Sequence, residues 1–229
     1  MMENLSDNIF TMLQLQRALN DHEDGEWFAK QPLFLRAAAL SAAAAIHHYG
    51  YRLWGNVEPV LPEVRHDMEN ILNHLLAHAI SRKGRRDEEL YRVAKEIEGL
   101  YRKSVRKDVH FGMGFLEKME VLAGRAALRD DAGAWTAFFS ALTDVGMEWD
   151  GFCRAFLAEN VLKLFRLDYG RDNKAYMETW GDKQDYVHLE EIISEMGKMD
   201  LSTIRHALVM RYFVLTGRRA ADHAEQPKQ

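Results

Sequence analysis

The sequence has one cysteine, Cys153, so no disulfide can close within the chain and no cysteine zinc cluster can be built. A reducing, cytoplasmic compartment is the expectation that follows. Proline occurs only 4 times, and no Gly-rich or Ser-rich linker interrupts the chain. Little is therefore present to break helices or to mark a domain boundary. The longest uncharged apolar stretch, Ala37 to Ile46, is too short for a bilayer, which takes roughly 20 residues; no membrane span is expected. The opening "MMENLSDNIF" lacks the basic and apolar regions of a secretory signal. Positive charge is not in excess: the net charge of -5 gives no general attraction to nucleic acid. A Gly-rich phosphate loop, a G-x-S-x-G turn and internal repeats are missing too, as is any sustained period-2 alternation that would signal strands.

What is present is helical spacing. The 229 residues suffice for one large domain, and 47% hydrophobic with 28% charged residues is ordinary for a globular chain. From Pro62 to Lys83, Met68, Ile71, Leu72, Leu75, Leu76 and Ile80 form one apolar stripe. Ile9, Leu13, Leu15 and Leu19 predict a helix over Ser6–Asn20, and Pro32 suits the first turn of a second one running to Trp54. Gly84 stops the third helix, and the charge-rich segment from Arg85 to Lys107 reads as a solvated fourth. Further helices are expected over Met113–Arg129, Ala134–Val145, Trp149–Phe165, Val187–Gly197 and Ser202–Leu215. The fold class is thus all-α, a helical bundle of about eight to nine helices. It is read as a single domain over residues 1–216, with an unstructured polar tail expected over 217–229.

Several side chains invite a chemical reading. The segment "LSAAAAIHHYGYRLWG" is a helix without a single acid. His48 shares a helical face with Ser41 and Ala44, and His74 shares one with Asp67 and Asn70. His74 and His78 have the four-residue spacing of a two-histidine metal site, so His48, His74 and Asp67 form one conceivable transition-metal set. Solvent-facing or core-satisfied histidines are the commoner meaning of such spacing. Glu117 and Glu120 form an E-x-x-E pair that more often marks a solvated face, and Cys153 reads as buried packing.

Three stretches, in order, resemble the dimeric all-α dUTPases of the all-α nucleoside triphosphate pyrophosphatase (MazG-type) superfamily. They are "MLQLQRALND", "RAAALSAAAAIHHYGYRLWGN" and "NVLKLFRLDYGRDNKAYMETWGDKQD". In the third, Asn160, Leu162, Phe165, Arg166, Gly170, Tyr176, Trp180, Lys183 and Asp185 coincide with the family's late signature. The resemblance implies a dUTPase-like homodimer with its cleft between the second and third helices. It also implies carboxylates for magnesium on those helices, yet the matching positions are Ser41, Ala44, Asp67 and Asn70. One acid where the family has four cannot balance a cluster of divalent ions. No cofactor is expected by the family mechanism, although a nucleotide's phosphates could carry in a weakly held Mg²⁺.

The nucleotide side is less eroded. The resemblance implies base contacts from Gln16 and Asn20, aromatic neighbours in Trp27, Tyr51 and Trp54, and phosphate or sugar contacts from Asn160, Arg166 and Lys183. Glu159, Lys163, Leu167, Arg171 and Asp172 depart from the pattern, and Arg171 or Lys174 is placed to restore lost charge. The leading expectation is a protein that binds a pyrimidine (deoxy)nucleotide or related ligand without hydrolysing dUTP by the family route. One alternative is altered, metal-independent chemistry on a pyrimidine nucleotide, with His48 and Asp67 as catalytic residues. Another is an interaction protein using only the scaffold, and an ordinary active dUTP diphosphatase is the remaining option. Neither a membrane nor nucleic acid is indicated as a partner.

Overall fold

The computed structural model describes residues 5–55, 62–107, 112–170, 176–195 and 201–217; side chains are described for these except residues 51–55 and 107. Among the described residues there are nine α-helices and one minute hairpin. The first five helices are α1 (Leu5–Glu23), α2 (Gln31–Gly55), α3 (Pro62–Lys83), α4 (Asp87–Lys107) and α5 (Phe115–Ala127). α6 (Asp131–Asp144), α7 (Trp149–Asp168), α8 (Asp185–Glu195) and α9 (Leu201–Thr216) complete the set. A short 3-10 turn, Trp27–Lys30, precedes α2. No described helix is long and apolar enough to cross a membrane.

Local chemistry accounts for the helix ends. α3 starts at Pro62 with Glu63 in its first turn and closes with Arg82 and Lys83, charges that complement the helix dipole. Gly84 then turns the chain at φ 127°, its N–H reaching the Ile80 carbonyl at 3.0 Å, a conformation that side chains with a Cβ rarely adopt. α4 opens on Asp87, Glu88 and Glu89, and the Glu89 carboxylate accepts the Arg86 N–H at 3.0 Å. Asp130 caps α6 by accepting from the Gly133 N–H at 2.9 Å.

Within the span read as one domain, the chain forms two compact units, one ending at Cys153 and one starting at Arg154. In the first unit α2 packs on α3 and α5, α1 packs on α4 and α3, and α6 packs on α5 and α4. The expected α3 stripe is completely buried: Met68, Ile71, Leu72, Leu75, Leu76 and Ile80 are all 0% exposed. Each such side chain removed from water contributes about 1.5–3 kcal/mol. Trp135, Phe138, Phe139, Trp149 and Tyr101 form a joined aromatic cluster at the α4–α6 side. Lys118 of α5 is buried and held to α6 by Asp144 at 2.8 Å and the Ser140 carbonyl at 3.2 Å.

The second unit assembles around Phe165, Trp180 and Tyr212, each fully buried. Between α7 and α8, β1 (Thr179–Trp180) pairs antiparallel with β2 (Lys183–Gln184) across Gly181, whose φ is 62°. Two-residue strands are too short to show alternation, which is why the sequence did not announce them. The hairpin delivers Trp180 into the core, and α8 begins directly after it.

Candidate functional site

α2 and α3 are an antiparallel pair, tied by one side-chain contact. His48 near the end of α2 meets Asp67 near the start of α3, Nδ1 to Oδ2 at 2.6 Å. At the other end His78 of α3 lies near the backbone of Gln31 at the start of α2, with its Nδ1 buried and without a partner. The faces explain the pairing. On α2, Leu35, Ala38, Ala42 and Ala45 point into the core, and Ser41, Ala44 and His48 flank them, half-buried. On α3, Asp67 is buried, and Asn70 and His74 follow it one and two turns later, half-buried. The structure therefore places Ser41, Ala44, His48, Asp67 and Asn70 along the seam of these two helices.

The electrostatics of the seam are those of a dyad. Of Ser41, Ala44, Asp67 and Asn70, Asp67 alone carries a carboxylate; its side chain is 8% exposed against 38% for the His48 side chain. A buried carboxylate at 2.6 Å holds the imidazole by Nδ1, which turns Nε2 outward. α2 supplies no acid anywhere in its 25 residues. His74 does not join the dyad: among the described residues, His48, Asp67 and His74 do not come together within metal-ligating distance. His74 lies seven residues beyond Asp67, roughly 10 Å along the helix. Burial pushes its imidazole below the ordinary 6.5, and burial does the same to His78 against the raising effect of its Gln31 contact.

Gln16 and Asn20 sit one turn apart on α1 and bond each other, Gln16 Nε2 donating to Asn20 Oδ1 at 2.9 Å. Gln16 Oε1 and Asn20 Nδ2 are buried without a partner. Exchanging nitrogen and oxygen in both amides leaves the same remainder, one acceptor and one donor. Buried polar atoms without a partner are rare enough to call for an occupant, water or ligand. Trp27 is 3% exposed, gives its indole N–H to Asp21 Oδ1 at 2.7 Å, and lies under the Arg85 guanidinium and beside Phe34. Its ring packs against the protein rather than standing free. The side chains of Tyr51 and Trp54, and residues Arg171 and Lys174, lie outside the described residues.

In the second unit, Arg166 donates two hydrogen bonds to Asp185, Nε to Oδ2 and Nη2 to Oδ1, both at 2.7 Å. Tyr176 donates its hydroxyl to the same carboxylate at 2.7 Å, and Asp185 is 0% exposed. Asp185 raises the Arg166 guanidinium, and burial followed by the Asp185 bond pushes the Tyr176 hydroxyl far above its ordinary range. Trp180 stacks on His188 at 5.2 Å and 8°. Asn160 donates to the Phe156 carbonyl at 2.9 Å, and Lys183 is paired with Glu191 at 2.5 Å. The residues of the late signature thus hold this unit together: Arg166 and Lys183 both have carboxylate partners of their own.

The remaining candidates have structural work. Glu117 caps α5 by accepting the Gly114 N–H at 2.6 Å, and Glu120 is exposed. Cys153 is buried, and that burial raises its thiol well above the usual range. Sequence reasoning did not single out Lys118 or the His78–Gln31 contact. The first lay hidden in an apolar helix, and the second involves a backbone atom that no side-chain pattern marks. Compared with models of known families and with curated proteins, the chain matches none.

Proposed function

We propose that this protein binds a pyrimidine nucleotide, or a related small molecule, on a dimeric dUTPase-like scaffold that does not hydrolyse dUTP by a multi-metal mechanism. The carrying observation is the Gln16–Asn20 pair: a buried amide acceptor and a buried amide donor, side by side and without partners. A pyrimidine edge, with its adjacent carbonyl and N–H, complements that remainder. The loss of hydrolysis rests on the seam, where Ser41 and Ala44 offer no charge, Asn70 is neutral, and Asp67 is engaged by His48. Hard divalent cations need several anionic oxygens, and a cluster of them needs more than one. The three-part resemblance supplies the homodimer and the choice of pyrimidine.

Isothermal titration of the whole protein with deoxyuridine, dUMP and dUTP, with and without magnesium, tests this reading. Binding should be seen, and Gln16→Ala or Asn20→Ala should weaken it by about tenfold or more, the cost of an unpaired buried hydrogen-bonding group. No binding of any of the three at millimolar concentration overturns the reading, and so does rapid magnesium-dependent release of pyrophosphate from dUTP.

The His48–Asp67 contact also favours a second reading, in which the dyad is a general base acting on a bound pyrimidine nucleotide. Turnover of a nucleotide by the protein in EDTA, lost in His48→Ala, would establish it.

A further inference from the structure

We propose that His188 is a proton-operated latch in the second unit. Taking up a proton on Nδ1, its ring draws the Glu191 carboxylate inward and releases Lys183, so the clasp between the hairpin and α8 is closed at neutral pH and open in mild acid. The latch is independent of the nucleotide reading.

The ring is fixed before any proton arrives. It lies flat on Trp180, with 5.2 Å between centroids and 8° between planes, and its Nε2 is 3.0 Å from the Trp180 carbonyl oxygen. A carbonyl only accepts, so Nε2 carries the hydrogen of the neutral ring and Nδ1 is left with a lone pair. Nδ1 is buried and has no hydrogen-bond partner, a state in which buried polar atoms are seldom left. Just out of its reach stands the Glu191 carboxylate, Oε2 at 3.9 Å. An approach of about 1 Å would make a hydrogen bond.

A proton on Nδ1 supplies the missing donor and turns the gap into an ion pair. The ring has no need to move, because Nε2–H keeps the Trp180 carbonyl. What moves is the Glu191 side chain, which is 37% exposed. The partner it gives up is the one with least to hold it. Arg211 donates to Glu191 Oε2 at 2.8 Å and to the His188 carbonyl at 3.3 Å, and it lies 3.6 Å from Glu195. Lys183 holds Glu191 by Oε1 at 2.5 Å from a side chain that is 45% exposed, and water replaces such a bond at little cost.

The surrounding charges permit the proton. Among the described residues, Lys183 of β2, Glu191 of α8 and Arg211 of α9, with Glu195 behind it, are the charged groups on this side of the ring, and β1 presents only Trp180. Two cations balance two anions, so the added proton meets no net repulsion. The Lys183 bond holds the Glu191 carboxyl below the ordinary carboxylate range. Between about pH 8 and pH 5 the imidazole is therefore the member of the cluster that titrates.

NMR of the ¹⁵N-labelled full-length protein over that range tests the latch by following the His188 ring nitrogens and the Lys183 ammonium together. As the pH falls, Nδ1 should gain a hydrogen-bonded proton, and the Lys183 ammonium should lose its carboxylate contact in step with it. In Glu191→Gln, Lys183 should give the same signal at both ends of the range. In His188→Gln, the Lys183–Glu191 contact should persist throughout, with a thermal melt at pH 8 showing that the variant is folded. Glu191→Gln changes a partly exposed side chain and carries the test alone if His188→Gln does not fold. A His188 ring that stays neutral down to pH 5 overturns the proposal. So does a ring that titrates while Lys183 keeps Glu191, or a Lys183 signal that follows pH as strongly in Glu191→Gln as in the parent protein.

Discussion

Asp185 and Asp67 are both buried carboxylates, one facing a guanidinium and the other an imidazole, and they serve different ends. Asp185 is saturated: Arg166 takes both oxygens, Tyr176 shares one, and nothing is left for a ligand. Asp67 has one contact, to a ring whose other nitrogen is outward. The first arrangement holds structure and the second leaves chemistry open. Asp185→Asn should therefore be a stability variant. It leaves Arg166 without its counter-charge, and breaking a buried pair from one side costs about 3–5 kcal/mol; the partial exposure of Arg166 places the expected loss at the lower end. Urea denaturation measures it, and a loss below about 1 kcal/mol would show that the network is not what holds the second unit.

At the scale of the element, α3 carries polar groups on a face that its neighbours bury. His74 and His78 are held below the ordinary imidazole pKa by that burial, so the folded state resists protonating them. Below the unfolded value of 6.5 the unfolded chain binds more protons than the folded one, and stability rises with pH there. The contribution is complete above 6.5 and is lost as pH falls. The thermal midpoint should accordingly drop between about pH 7 and pH 5, and the drop should be smaller in His74→Gln/His78→Gln. An equal drop in the double variant would assign the acid sensitivity elsewhere. The same helix shows why His74, the second histidine of the conceivable metal set, stands apart. Equal helical angle puts Asp67 and His74 on one face, but two turns of rise separate them, and a metal ion spans only a few ångströms.

At the scale of the whole molecule, the seam between α2 and α3 does not present the charge that a magnesium cluster needs. Millimolar Mg²⁺ alone should leave the thermal midpoint of the protein unchanged, because a ligand raises stability only as far as it binds the folded state. A rise of several degrees on adding Mg²⁺, reversed by EDTA, would reveal a cation site that the seam does not supply. The all-helical architecture was legible in the sequence because long 3.6-residue periods survive any packing: Met68 to Ile80 predicted a buried face and α3 buries it. The placement of His48 beside Asp67 was half legible. Helical angles gave each residue its face, while their meeting depended on two helices lying antiparallel in one register. The hairpin at Thr179–Gln184 was not legible, since four residues cannot show a period. Nor was the division at Cys153, because α7 runs through it with no proline or glycine-rich linker to mark it. Composition and periodicity by themselves determined that the chain is helical and that its second helix is without acids, since both are properties of residues along a line. Tertiary structure alone decided that Asp67 engages a histidine, that Arg166 is neutralised by Asp185, and that Gln16 and Asn20 keep a donor and an acceptor in reserve. Each of these depends on distances between side chains, which the order of residues does not contain.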